Sequence, residues 1–174
     1  MREKMGVVLL AIVFLFLSLV AQVKEMKPVE PVNWRELMPF LIDIPQYQSE
    51  EKPEGSSVSM ANFKVSQVSR DYTSGEKTLR IEIIDGGYVQ MAYAGFQMLQ
   101  SFEVDSSEEL IKKVDIKGFP GVEKYTYESK EASLTILVAD RFLVQMEGQN
   151  FENTEELKKI ANLLDLGKLS SLAK

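Results

Sequence analysis

The stretch SLTILVA, residues 133–139, decides the fold because it is apolar on both sides of an extended strand. Successive side chains of a strand point to opposite faces, so Leu134 and Ile136 share one face and Leu137 lies on the other. Such a strand is typical of the centre of a sheet that is covered on both faces. The sequence therefore predicts a layered fold with helices on both sides of residues 133–139.

Five other segments have the alternating pattern or the composition of strands. The connections within each run of strands are of hairpin length, which favours antiparallel pairing over parallel crossovers. In the first segment the alternation slips near Asn62 and Phe63, which predicts a bulge. The six predicted strands cover residues 58–72, 79–83, 110–117, 122–128, 133–139 and 142–147.

Three segments have helical patterns. Asn33 opens the first with a capping-box pattern, and Pro39 breaks or kinks that helix. Residues 88–100 have a helical period with apolar side chains on more than one edge, so we expect this helix to be largely buried. The last helix opens at Asn153, and Gly167 fits the position after its end. These elements predict an α+β fold, in which an antiparallel sheet of about six strands is layered with helices as an α/β/α sandwich.

Residues 6–23 form an apolar segment without a charged residue, and Arg2 and Lys4 precede it. This layout is typical of a signal peptide, and the segment is just long enough to cross a bilayer as a helix. Leu19 makes cleavage after Ala21 unfavourable, since small residues are preferred at both positions before a cleavage site. The segment is therefore interpreted as an N-terminal transmembrane or signal helix that stays uncleaved.

This interpretation divides the chain into three regions. Residues 1–23 are a signal anchor or signal peptide, residues 24–32 are a linker, and residues 33–174 are an extracytoplasmic α+β domain. We expect a bacterial cell-membrane protein with a single pass and its C-terminal domain outside the cytoplasm. If the segment is cleaved, the domain is secreted or periplasmic.

Composition excludes several classes of function. The chain has no Cys and no His, so it has no disulfide and no thiolate metal site. It also lacks the thiol nucleophile of Cys and the imidazole base of His, which are two common catalytic groups. Its net charge is −6; residues 1–27 carry four basic and two acidic residues, which leaves −8 for residues 28–174. A domain this acidic lacks the electrostatic footprint of a nucleic-acid-binding protein. No motif for a metal or an organic cofactor is present, so we expect no cofactor.

A resemblance accompanies these patterns. The pieces WRELMPFLIDIP, VSRDYTSGEKTLRIEIIDGGY, IKGFPGVEKY and LVADRFLVQMEG follow one another behind the N-terminal signal. In this order they resemble a family of uncharacterised bacterial exported or membrane-anchored proteins, and their layout is similar to that of PsbP/Mog1-like domains. The resemblance implies an extracytoplasmic domain without an established activity, and it carries over no functional residue.

Four residues are candidates for a ligand site. Asp140 and Arg141 lie between two apolar strands, where they form either a charged pair at the mouth of a pocket or a simple hairpin turn. Tyr93 and Phe96 lie on the predicted helix 88–100, where they either line a ligand groove between helix and sheet or belong to the core. In both cases the structural interpretation is the simpler one. The sequence predicts no catalytic residue.

These observations favour a non-catalytic binding or envelope-assembly module. We expect the domain outside the membrane segment to be monomeric. Its partner would be another envelope protein or a small apolar ligand. One alternative is a carrier or sensor that holds a small apolar ligand beneath helix 88–100, which would require an enclosed pocket. A further alternative is a carboxylate-dependent hydrolase, which would require two carboxylates that converge in a cleft.

Overall fold

A computed structural model of the chain describes residues 30–49, 52–60 and 63–173. These residues form one antiparallel sheet of eight strands, with short helices packed against it. The predicted α+β class and the antiparallel pairing are confirmed. The strands are β1 (Glu54–Met60), β2 (Phe63–Ser74), β3 (Lys77–Gly86), β4 (Val104–Asp105), β5 (Glu109–Ile116), β6 (Phe119–Thr126), β7 (Glu131–Val138) and β8 (Phe142–Gln149).

The order of the strands across the sheet is β1-β2-β3-β8-β7-β6-β5-β4. Two meanders, β1 to β3 and β4 to β8, meet where β3 pairs with β8. Strand β7, which contains the decisive stretch, lies near the centre of this order. The helices are α1 (Trp34–Leu37), α2 (Gly87–Leu99), α3 (Glu155–Ala161) and α4 (Leu166–Ser171), and a 3-10 turn (Met38–Phe40) follows α1.

The prediction of about six strands is wrong, and the two missing strands are the edges of the sheet. Strand β1 is almost entirely exposed, so its sequence has no apolar alternation that could reveal it. Strand β4 has only two residues. The predicted bulge at Asn62 and Phe63 is wrong for a related reason: β1 pairs with β2 up to Met60 and Phe63, so the slip in alternation marks the end of one strand and the start of the next.

The larger hydrophobic core lies on one face of the sheet, which we call the core face. Leu134, Ile136 and Val138 of β7 are fully buried there. Helices α1, α3 and α4 and the segment after α1 cover this face, and Leu37, Leu157 and Leu169 are among the side chains that they contribute. The final helical region of the chain therefore packs on this face of the central strand.

Helix α2 covers part of the opposite face, which we call the groove face. Val89 and Phe96 of α2 pack there against Ile84, Leu137 and Leu143 of the sheet in a smaller core. The expectation that this helix is largely buried does not hold, because Tyr88, Tyr93 and Leu99 are exposed and Met98 is 67% exposed. The two faces of β7 are thus both buried, Ile136 beneath the larger core and Leu137 beneath α2.

Local sequence explains how the helices begin and end. The Asn33 side chain accepts a hydrogen bond from the Arg35 amide, as expected for a helix N-cap, and the α-helix changes to a 3-10 turn where Pro39 follows. Gly86 has a φ of +102°, and a Cβ atom there would collide with the carbonyl oxygen of Lys64, so the step from β3 into α2 requires glycine. Gly167 does not end a helix but lies inside α4.

The sheet has two ends, which we call proximal and distal. At the proximal end the chain reaches the sheet: Glu30 binds Lys64 at 2.5 Å, and the Val32 amide donates to Asp85. Helix α2 and the turn between β7 and β8 lie at the same end. At the distal end lie the turns at residues 75–76 and 127–130.

None of the helices formed by the described residues is both long and apolar enough to cross a membrane. The predicted transmembrane or signal helix at residues 1–23 lies outside the described residues.

Candidate functional site

Helix α2 covers only the proximal part of the groove face, and the distal part is open. A cavity of about 590 Å³ lies there, which we call the groove. Its volume falls within the range of about 300–1,000 Å³ that is usual for small-ligand sites. Five strands line it, at Asp71, Tyr72, Thr73, Thr78, Leu79, Arg80, Lys124, Thr126, Glu131, Ala132, Ser133, Glu147, Gly148 and Gln149.

Every second residue of each strand points to this face, and in the distal part of the strands these residues are polar. Register places Arg80 directly between Asp71 of β2 and Glu147 of β8, while Ser133 of β7 is the next residue across. Lys124 of β6 lies opposite Ser133 on the other side. The groove is therefore a continuous row of charged and hydroxyl groups across the sheet, whereas the proximal part of the same face is apolar.

Both cations of the groove are held by carboxylates of the chain. Nη1 of Arg80 donates to both carboxylate oxygens of Asp71 at 3.0 Å, and its Nη2 donates to Oγ of Ser69 at 2.8 Å. Nζ of Lys124 lies 2.9 Å from Oε2 of Glu109. These contacts pair each cation with a carboxylate of the chain, although both cations stay partly exposed.

Two carboxylates of the groove remain without such contacts. Glu131 and Glu147 are exposed, and within the described residues neither has an ion-pair partner or a side-chain hydrogen bond. Glu147 also affects Glu82, one step towards the proximal end. Burial raises the pKa of Glu82, the charge of Arg80 opposes this, and the negative charge of Glu147 adds to it. The groove thus has an excess of negative charge on the side of β7 and β8.

A second, smaller cavity of about 150 Å³ adjoins the groove across Arg80. It is lined by Glu54 and Ser56 of β1 and by Gln67 and Ser69 of β2, which are again polar side chains and backbone. Arg80 lines both cavities, so the open surface extends from the edge strand β1 to β6.

Asp140 and Arg141, the charged candidates from the sequence, lie at the proximal end and outside the groove. Ala139 and Asp140 both have positive φ values, +53° and +52°, and form the turn between β7 and β8. Arg141 binds Asp85 through two contacts, Nε to Oδ1 at 3.0 Å and Nη2 to Oδ2 at 2.9 Å, and also donates to the Glu30 carbonyl. Asp85 is fully buried. The ion pair of Arg141 with Asp85 therefore joins the turn, the end of β3 and the segment before α1.

The two aromatic candidates lie on different sides of α2. Phe96 is buried in the smaller core, whereas Tyr93 is exposed on the outer side of the helix. The structure brings neither residue into the groove. The space between α2 and the sheet is occupied by packed side chains, including Ile84, Phe96 and Leu143.

Two other carboxylates, of the buried Glu123 and the half-buried Glu156, attach helix α3. The Thr154 hydroxyl donates to Glu123 at 2.5 Å, and Lys158 lies 3.1 Å from the same carboxylate. Glu156 accepts from Tyr47 at 2.8 Å and from Lys77 at 2.5 Å. Burial would raise the pKa of Glu156, but these hydrogen bonds outweigh it and the pKa is lowered. Among the described residues no cluster of acidic side chains has the arrangement of a metal site.

The residues of the groove were not found by sequence reasoning. The sequence shows Arg80 only as a polar residue within the predicted strand 79–83, and it gives no separate sign for Glu131 and Glu147. The signal that could have found them is the shared parity of polar residues in neighbouring strands, which requires the strand order and the register.

No protein-family model matches the chain, and neither a curated protein nor a solved structure matches it. The resemblance to PsbP/Mog1-like domains therefore stays a prediction.

Proposed function

We propose that the chain is a non-catalytic binding module, held at the outer side of a cell membrane by residues 6–23, and that it binds its ligand in the groove. The observation that carries the proposal is an open cavity of about 590 Å³ in which Glu131 and Glu147 have no ion-pair partner among the described residues. The remaining lining is rich in hydroxyl and amide groups that can donate and accept hydrogen bonds.

The charges of the groove favour a cationic ligand. Its cations, Arg80 and Lys124, are bound to Asp71 and Glu109, whereas Glu131 and Glu147 have no ion-pair partner among the described residues. The domain around it has a net charge of −8, which attracts a cation over a distance as well. A basic peptide segment of another envelope protein has this chemistry, and its amines can also bond the threonine and serine hydroxyls.

The two alternatives have weaker support. A carrier of an apolar ligand would need space beneath α2, where side chains of the smaller core are packed together. A carboxylate-dependent hydrolase would draw on the raised pKa of Glu82 beside Glu147, which is the kind of difference that an acid–base pair requires. Glu82 does not line the groove, however, and burial is the main cause of its shift.

Titration with tetralysine tests the proposal, with the full chain in detergent micelles and calorimetric detection. The double variant Glu131→Gln/Glu147→Gln should weaken binding by about tenfold or more, because each hydrogen bond to a charged group typically contributes about 1.5–3 kcal/mol. Glu36→Gln/Glu103→Gln is the matched control, since it removes two exposed carboxylates outside the groove and leaves the same net charge. Equal affinities for the two double variants would show that tetralysine responds to overall charge only, and the groove would lose its role.

A further inference from the structure

The outer side of α2 is an apolar surface at the proximal end of the sheet. Gly87–Leu99 contains no Asp, Glu, Lys or Arg. Among its described side chains, Val89 and Phe96 are buried against the sheet, and four large side chains are exposed: Tyr88, Tyr93, Met98 and Leu99. A helix of a soluble domain normally has charged residues on its outer side. An exposed apolar surface of this kind indicates a site of interaction with a partner or a membrane.

The end of strand β1 continues this surface. Met60 is 63% exposed, and Val58 of the same strand is exposed as well. Their partners in register, Phe63 and Val65, lie against α2, so Met60 and Val58 point to the same face as the helix. We call the exposed side chains Val58, Met60, Tyr88, Tyr93, Met98, Leu99 and Phe102 the apolar surface.

The chain outside the described residues limits what can cover this surface. Glu30 reaches the sheet beside Lys64 and Arg141, close to the first residue of α2. Residues 24–29 alone separate Glu30 from the apolar segment 6–23, and a fully extended chain covers about 25 Å over that stretch. If residues 6–23 span a bilayer, the proximal end of the domain therefore lies within about 25 Å of the membrane surface.

We propose that the apolar surface docks onto the lipid bilayer. This inference rests on the membrane anchoring in the proposed function. Tyrosine rings prefer the region of the lipid headgroups, and Met, Leu and Phe side chains enter the boundary with the acyl chains. The groove lies on the same face of the sheet but at its distal end, farther along the sheet from the segment that leads to the membrane.

The absence of cysteine makes the docking measurable at one position at a time. The full chain is reconstituted into phosphatidylcholine vesicles, and a single spin label is placed at Met98→Cys. Ser129→Cys, an exposed residue in the distal turn, is the matched control. Collision with oxygen, which concentrates in lipid, is compared with collision with a water-soluble nickel chelate, and flotation of the vesicles shows whether the chain is anchored.

The expected result is that the label at residue 98 collides mainly with oxygen and the label at residue 129 mainly with the nickel chelate. If the vesicles carry the chain and residue 98 behaves like residue 129, the docking is wrong but the anchoring stands. If residue 98 is shielded from both reagents, a protein surface covers α2 and the lipid proposal is again wrong. If the chain does not float with the vesicles, both the anchoring and the docking are overturned.

Discussion

At the scale of single residues, Asp85 shows how a buried charge fastens the chain to the sheet. It is fully buried and accepts hydrogen bonds from both Arg141 and the Val32 amide. The sequence places Arg141 at a turn, but its partner is 56 residues away, and local pattern gives no sign of a contact so distant. Asp85 in the sequence stands next to two glycines and looks like an ordinary strand end. Local chemistry was predictable here, and the pairing was not.

Removal of Arg141 should therefore destabilise the fold strongly. We expect Arg141→Ala to cost about 3–5 kcal/mol in the free energy of unfolding, because it leaves the buried Asp85 carboxylate without its cation. Lys112→Ala is the control, since Lys112 binds Asp105 at 3.4 Å with both side chains exposed, and such pairs contribute at most about 1 kcal/mol. Urea denaturation measures both; similar losses for the two variants would mean that the Asp85 pair has no special role.

At the scale of elements, prediction succeeded in the centre of the sheet and failed at its edges. Strand β7 is covered on both faces, and residues 133–139 have apolar side chains on both. Their composition was therefore enough to predict their burial. Strand β1 has little to bury, and its sequence, EGSSVSM, carries no such pattern. Helix α2 misled in the opposite direction: it has apolar side chains on more than one edge, which favours burial, yet Tyr88, Tyr93 and Met98 are exposed among the described residues.

The two-sided cover of β7 can be tested with a pair of variants. Ile136 and Leu137 are neighbours in sequence, point to opposite faces and are at most 1% exposed. Ile136→Ala and Leu137→Ala should each cost about 2–5 kcal/mol through lost burial and the cavity left behind. Leu163→Ala, at a residue that is 48% exposed, should cost less than about 1 kcal/mol in the same denaturation experiment. A loss that small at either residue of β7 would mean that its face is not packed as described.

At the scale of the whole molecule, the groove is a property of the sheet and of no single segment. Its lining comes from five strands, and it stays open because α2 is long enough to cover only the proximal part of the face. Each strand by itself shows merely a polar parity. The position of the groove therefore follows from strand order and register, which hairpin patterns predict only in part, since the pairing of β3 with β8 joins segments about 65 residues apart.

The first elements of the domain are as necessary to it as the sheet. Leu37, Phe40, Leu41 and Ile44 are all buried on the core face, and Val32 packs beside them. At about 1.5–3 kcal/mol for each buried side chain, these four contribute roughly 6–12 kcal/mol, which is comparable to the total stability of about 5–15 kcal/mol of a typical domain.

A chain that begins at Pro28 retains these four side chains, and it should be soluble and unfold in one cooperative transition. A chain that begins at Ser49 lacks them, and it should show no cooperative transition and should expose the core face. Thermal unfolding followed by circular dichroism, with a dye that binds exposed apolar surface, separates the two cases. Cooperative unfolding of the shorter chain would mean that the sheet with α2, α3 and α4 is sufficient for folding, and that residues 30–48 are not required.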